Sequence, residues 1–248
     1  MRQKYKIGLM WFRRDLRVDD NAALHHALQS CTQVFCLFVF DRSILDALPR
    51  ADRRVEFLRE SLLDLDRQLE DAAQQHGVAG AGLIVRHGYA ADCLSAVAST
   101  LAVDAVFFNH DDEPQSLVRD TALQALMQAD GVAVHSFKDH LIFERAEVLT
   151  LAGKPYSVFT PYKNAWLKKI DAFYLKPYPT EKYASALAPH PVNEPENIPE
   201  LSDLGFEKTN LSSLEIPAGS RGGQQLFKDF QARIDHYDDT RCRNDALS

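Results

Sequence analysis

The sequence has no glycine-rich phosphate loop. Its first apolar run, residues 7–12, leads into Trp11-Phe12-Arg13-Arg14-Asp15-Leu16-Arg17. An α/β nucleotide-binding domain would carry G-x-G-x-x-G there, so that backbone N–H groups wrap a phosphate. Three arginines and an aspartate in its place argue against a dinucleotide dehydrogenase and for a flat ligand with polar edges, gripped by guanidinium forks. Cysteine is scarce too: four in 248 residues (Cys31, Cys36, Cys93, Cys242), none in a C-x-x-C pattern. Metal-ribbon and dithiol redox chemistry are therefore not expected, and reduced thiols in a cytoplasmic protein are. The longest apolar run, residues 34–40, is far too short to span a bilayer, and the polar N-terminus has no apolar stretch behind it. Positive charge is not in excess. With 28 Lys+Arg against 35 Asp+Glu, the net charge of −7 rules out a general nucleic-acid glue, so any DNA contact must be local.

What is present is a rhythm. Hydrophobic residues make up 46% of the chain, enough for a real core. Residues 7–12, 34–40, 83–86, 105–109 and 132–137 read as buried strands. Between them, helices are expected from residue 21 (capped by Asp20, with Ala22, Ala23, Leu24, Ala27 and Leu28 as its apolar face), over 52–76, over 90–101 and over 115–128. The second is the clearest: Val55, Leu58, Leu62, Leu65, Leu69 and Ala72 repeat at spacings of three and four. Apolar strands alternating with helices predict an α/β fold: a doubly wound, mostly parallel five-stranded sheet over residues 5–137. Ligands of such folds bind at the carboxyl ends of the strands. Three polar clusters fall there: Arg13–Arg17, Asp41, and 109–113.

After Phe137 the rhythm is lost. Prolines gather from Pro177 to Pro217, and residues 138–220 read as a long connector between two domains. Residues 222–237 turn helical again, with Leu226, Phe227, Phe230, Ile234 and Tyr237 on one face. Such a stripe needs a surface to bury against, so more chain is expected beyond Ser248. His25 and His26 are expected at the surface. Asp15 and Arg17 are expected to form an internal ion pair if they do not meet a ligand.

Five segments carry a resemblance to a known family. They are Trp11 to Arg17 with Asp20-Asn21; Phe38-Val39-Phe40-Asp41 with Ile44-Leu45, Arg54 and Phe57-Leu58; Asn109 to Pro114 with Arg119-Asp120; Tyr156 to Leu167; and Gly222-Gly223, Leu226, Phe230, Tyr237 and Arg241. In order and spacing the chain resembles the photolyase/cryptochrome family, most closely the bacterial class I cyclobutane pyrimidine dimer photolyases. The resemblance implies the N-terminal part of a blue-light-driven repair enzyme acting on UV-damaged DNA, as a monomer with no membrane. Residues 5–137 would be the antenna domain, and 221–248 the first helix of an FAD-binding domain. Reduced FAD, fed by the antenna, would split a flipped-out dimer. Tyr237 matches a tyrosine at the FAD phosphate, and Arg241 an arginine that contacts DNA. The flavin-reducing tryptophans have no counterpart: Trp11 and Trp166 are the only two. This chain alone is expected to be inactive in repair.

The antenna implied by the family is an 8-hydroxy-5-deazaflavin or a methenyltetrahydrofolate. In the folate type an adjacent Asn and Glu hold the pterin; here those positions read Gln115 and Ser116, and serine supplies no carboxylate. Asp41, Asp111 and Glu113 fit the deazaflavin pattern, which favours a deazaflavin-like or flavin-like ring. Arg13 and Arg14 would engage acidic ring or tail groups, and Phe38 and Phe40 would stack on the ring or border it. The segment Lys163 to Trp166 is expected to pack the connector onto the α/β domain. A cryptochrome-type photoreceptor and a stand-alone chromophore- or nucleotide-binding module are the competing readings. No metal site is expected.

Overall fold

The computed structural model describes residues 4–240. Five strands, β1 (Tyr5–Phe12), β2 (Cys31–Asp41), β3 (Leu83–Gly88), β4 (Ala105–Asn109) and β5 (Ala133–Phe137), form one all-parallel sheet in the order β3-β2-β1-β4-β5. Helices α1 (Ala22–Ser30), α2 (Arg42–Leu45), α3 (Arg53–Gln74), α4 (Ala90–Thr100) and α5 (Pro114–Ala129) link them. Strands β1 to β4 are apolar on both faces where both faces are covered, and the edge strand β5 is only half-buried. Met10, Phe12, Phe38, Phe40 and Phe107 point toward α1 and α3, while Leu9, Trp11, Leu37, Val39 and Phe108 point toward α4 and α5. The expected fold class is the observed one.

The first two strands run longer than the apolar pattern suggests. Tyr5 pairs with the buried Cys31 and Ile7 with Gln33, so the strands take in the polar Lys6, Thr32 and Gln33 before their apolar runs begin. Helix α1 is capped by Asn21, whose Oδ1 accepts from Leu24 N at 3.0 Å. Asp20, the expected cap, instead turns the chain at φ 49 and accepts from Tyr178 N at 2.8 Å.

Residues 138–218 hold helix α6 (Phe159–Lys169), and their later part lies on the α/β unit. Ala184, Ala186, Leu187, Ile198, Leu204 and Phe206 are buried in the same cluster as α1 and α3. Glu56, 4% exposed, ties this segment to α3 by accepting from Thr209 N at 2.7 Å and from its hydroxyl. Helix α6 buries no residue. Its Trp166 meets Phe143 edge-on at 5.7 Å, Tyr162 meets Tyr156 at 6.1 Å and Lys169 reaches Glu147 O, so these contacts are with other residues of the connector, where packing on the α/β domain was expected.

Helix α7 (Gly219–Gln231) starts earlier and ends sooner than its apolar stripe suggests. It lies on α3, with Ser220 Oγ donating to Gln68 and Gly222 packed on Pro217. A 3-10 turn (Ile234–His236) and the short α8 (Tyr237–Thr240) follow. This break brings the Tyr237 ring to 5.7 Å from Phe230, closer than seven residues of straight helix would allow. Leu226, Phe227, Ile234 and Tyr237 remain exposed.

His25 and His26 are not surface residues. His25 is 8% exposed and packs against Tyr183 and Tyr178; His26 stacks on Phe137 at 4.4 Å. His135 on β5 shares a hydrogen bond with Tyr5 Oη at 2.8 Å. Burial pulls all three imidazoles below their ordinary value of 6.5, helped at His26 by its neighbours His25 and His135. These bases stay neutral when folded but take up protons when unfolded. Their contribution to stability is therefore complete above about pH 6.5 and lost as pH falls toward the folded values. The midpoint of thermal unfolding is expected to fall between pH 7.5 and 5.5, and to fall less steeply in His26→Phe. An equal slope in the two proteins would remove His26 as a cause.

Candidate functional site

The carboxyl edge of the sheet carries two different structures. The first is a closed polar network at the switch point between β1 and β4. Asp15, 2% exposed, accepts from Arg13 N at 2.8 Å and from Asn109 Nδ2 at 2.7 Å. Asn109 Nδ2 also donates to Asn21 Oδ1 at 2.9 Å, and its Oδ1 accepts from Ala23 N at 2.9 Å. Arg17 pairs with Asp139 at 2.9 Å, not with Asp15. The crevice where a doubly wound fold opens between its two halves is filled here by side chains.

The second structure is a cavity of about 490 Å³ beside this plug, on the β1–β2 side. That volume lies within the range of small-molecule sites. Trp11 to Arg14 and Leu16 enter from β1 and its loop, and Phe38 to Asp41 from β2. Ile44 and Leu45 of α2, Arg54, Phe57, Leu58 and Ser61 of α3, and Asp111, Glu113, Ser116 and Arg119 around the start of α5 complete it. One wall is aromatic: Phe38 and Phe40 meet edge to face at 5.2 Å. The rim is charged.

Of the residues expected to meet a ligand, Arg13, Arg14, Phe38, Asp41, Asp111, Glu113 and Ser116 lie on this cavity. Asp15 and Gln115 do not. Asp15 turns inward to satisfy buried donors, and Gln115 is exposed on the first turn of α5. Tyr237 is exposed on α8, away from the cavity lining, and Arg241 lies outside the described residues.

Arg13 is spoken for. Its guanidinium pairs with Asp120 at 2.6 Å, donates to Asn109 O, and sits 4.8 Å and 4.9 Å from the Trp11 and Phe108 ring centres. Burial outweighs that arginine's pull and raises the Asp120 carboxyl above its usual range. Arg14 binds Glu113 at 2.5 Å and lies 3.5 Å from Asp111. Burial alone would push Asp111 up. The hydrogen bonds from Glu113 N and Ser116 Oγ, with the charges of Arg14 and Arg13, hold it below the usual carboxylate value. Asp41, 7% exposed, caps α2 by accepting from Ser43 N and Oγ.

Arg54, Phe57, Leu58, Ser61 and Arg119 were not singled out from sequence as ligand contacts. The signal was there: 54, 57, 58 and 61 share one side of the first two turns of α3, and Arg119 follows Ser116 by three residues. Burial raises the thiol of Cys31 to about 12 and that of Cys36 further, so neither is a nucleophile. Among the described residues no cluster suits a metal ion, and no helix is long and apolar enough to cross a membrane.

The profile of the DNA photolyase family matches residues 8–183. An uncharacterized 31.6 kDa protein of Synechococcus sp. (strain PCC 6716) is 34% identical over 237 residues, covering 96% of this chain and 79% of that one. The crystal structure of a bacterial class III photolyase from Agrobacterium tumefaciens superposes with a TM-score of 0.74 at 27% identity, over 93% of this chain and 45% of that one. An archaeal photolyase from Sulfolobus tokodaii, solved with two FAD molecules, gives 0.68 at 25% identity, over 92% and 48%. Photolyases and cryptochromes both stand among the curated relatives, and this chain spans less than half of each. The parallel five-stranded sheet, the cavity at its carboxyl edge and a profile match over most of the chain agree: this protein belongs to the DNA photolyase family.

Proposed function

We propose that this chain is the light-collecting part of a photolyase. A flat chromophore of the deazaflavin or flavin type sits at the carboxyl edge of β1 and β2, and serves a reduced FAD that repairs cyclobutane pyrimidine dimers in UV-damaged DNA. The observation that carries this reading is the cavity itself, with aromatic and aliphatic walls for a ring's faces and charged groups where a ring's edge would lie. Phe38, Phe40, Phe57 and Leu58 exclude water. Arg14, Asp41, Ser116 and Arg119 offer donors and acceptors to the edge. When bound, the chromophore supplies absorption in the blue and passes its excitation on. The Sulfolobus tokodaii photolyase, described as implicating a novel light-harvesting cofactor, supports a flavin-like ring. A folate fits less well, because Gln115, one of the two positions that would hold a pterin, is off the cavity wall.

The test is a titration of the purified chain with 8-hydroxy-5-deazariboflavin, riboflavin and methenyltetrahydrofolate, followed by absorption and fluorescence. A deazaflavin or flavin is expected to bind at one per chain, and folate weakly or not at all. The chain alone is expected to leave thymine dimers in an illuminated oligonucleotide intact. Binding of none of the three, or repair by this chain alone, would overturn the reading. The cryptochromes among the relatives favour a signalling photoreceptor as the second reading. Dimer repair by the chain joined to an FAD-binding domain separates the two.

A further inference from the structure

We propose that Ser136 is an activated nucleophile: His110 takes its proton, Glu144 holds the imidazole, and the serine accepts an acyl group from carboxylic esters and loses it slowly to water. The site is separate from the cavity, which none of these three residues lines.

Three side chains form one hydrogen-bonded chain. Ser136 Oγ lies 3.1 Å from His110 Nε2, and His110 Nδ1 lies 2.9 Å from Glu144 Oε2. The carboxylate of Glu144 only accepts, so Nδ1 carries the imidazole proton and Nε2 offers its lone pair to the serine hydroxyl. A nucleophile, a base within hydrogen-bond reach and a third group that orients the base are the parts that activate a serine. The sheet and the connector fix all three. Ser136 is on β5, and His110 directly follows β4, where its N–H donates to Phe137 O at 2.7 Å. Glu144 is buried, and its N–H donates to Glu147, which Lys138 holds at 2.8 Å. Its neighbour Phe143 is buried against Trp166 and Tyr174.

The nucleophile is accessible while its orienting acid is not. Ser136 is exposed on the outermost strand. Phe137 O faces β4, so the N–H of Ser136, one residue earlier, points out of the sheet edge. That N–H is a donor for the oxyanion that forms when Oγ attacks a carbonyl. The carbonyl carbon then bonds to Oγ, and its bond to the alkoxy oxygen breaks. The hydroxyl proton passes to His110 Nε2 and on to the leaving alcohol. Water, deprotonated by the same nitrogen, releases a carboxylic acid and restores the serine. A strand edge supplies little binding energy, so reactive esters are the fitting class and amides are not.

The test treats the chain with a fluorophosphonate probe and maps the product by mass spectrometry. The probe forms a P–O bond at an activated serine and releases fluoride with the proton. Ser136 is expected to be labelled about a hundredfold faster than Ser213, an exposed serine whose hydroxyl donates to Asn210 O at 2.7 Å and meets no base. His110→Ala is expected to slow labelling of Ser136 by a similar factor. Glu144→Gln is expected to slow it about tenfold, with Glu144→Asp, which keeps the charge, recovering part of the loss. p-Nitrophenyl acetate is expected to give a burst of one nitrophenolate per chain that Ser136→Ala abolishes. Labelling of Ser136 no faster than of Ser213 overturns the proposal and needs no variant. So does undiminished labelling in a folded His110→Ala chain, or an equal burst from Ser136→Ala.

Discussion

Asn109→Leu is expected to lower the unfolding free energy by about 3–5 kcal/mol and the melting midpoint by on the order of 10 °C. Asn109 is 2% exposed at the end of β4 and holds three partners at once: Asp15, Asn21 and Ala23 N. Leucine fills similar space but supplies neither donor nor acceptor. A carboxylate, an amide oxygen and a backbone N–H would each lose a partner where water cannot reach. Each loss costs about 1–3 kcal/mol, in full at Ala23 N and reduced at Asp15 by the bonds it keeps from Arg13 N and Asn21 and at Asn21 Oδ1 by the bond it keeps from Leu24 N. Asn109→Asp is the informative companion. It keeps the acceptor for Ala23 N but sets a second carboxylate against Asp15, and two carboxylates so close cannot both ionise. That variant should regain stability as pH falls and one of the pair takes a proton to donate, whereas the leucine variant should not. A midpoint for Asn109→Leu within about 2 °C of the parent would mean that the network is not what closes the switch point.

The sheet was legible because β1 to β4 are buried on both faces, so an unbroken apolar run marks each of them; the edge strand β5, AVHSF, is only half-buried and carries a weaker signal. The residues missed at the strand starts, Tyr5-Lys6 and Cys31 to Gln33, form no apolar run, because Lys6, Thr32 and Gln33 are polar and only Cys31 among them is buried in the core. Composition hid the later connector. Ala184, Ala186 and Leu187 stand among prolines and charges, and it is the face of α1 and α3 that buries them. Helix α6 was hidden by Pro161, which sits in its first turn, where the missing N–H costs nothing.

The position of the candidate site was legible from topology, and its division of labour was not. The rule that ligands gather at strand carboxyl ends drew in every polar residue there. Side-chain geometry then separates Asp15, Asn21 and Asn109, which satisfy one another, from Asp41, Asp111 and Arg119, which face the cavity. The stripe Val55, Leu58, Leu62 reads as core along its whole length. Only the register of α3 against the sheet turns its first two turns, with Arg54, Phe57 and Leu58, into a cavity wall.

Gly8→Ala is expected to cost about 1–3 kcal/mol, and Cys31→Ala to restore much of it. Gly8 lies in the middle of β1, paired with Val34 on one side and Ala105 on the other, so the strand cannot shift to make room. A Cβ there would fall 2.6 Å from Cys31 Sγ and 3.4 Å from the Phe107 ring. The thiol is short and fully buried, and cannot swing away as a long side chain could. Its raised pKa keeps it neutral at working pH, so removing it changes volume and not charge. Cys31→Ala alone leaves a small void and costs on the order of 1 kcal/mol. In the double variant the new methyl occupies the space the sulfur leaves, and the two changes should compensate. Ligand binding should follow the same pattern. The carboxyl end of β1 carries Trp11 and Arg14 to the cavity, and that of β2 carries Phe38 and Asp41, so a strand forced out of register with its neighbour separates the two walls. Simple additivity of the two substitutions in both stability and ring affinity would show that the close approach of β1 and Cys31 does not set that spacing.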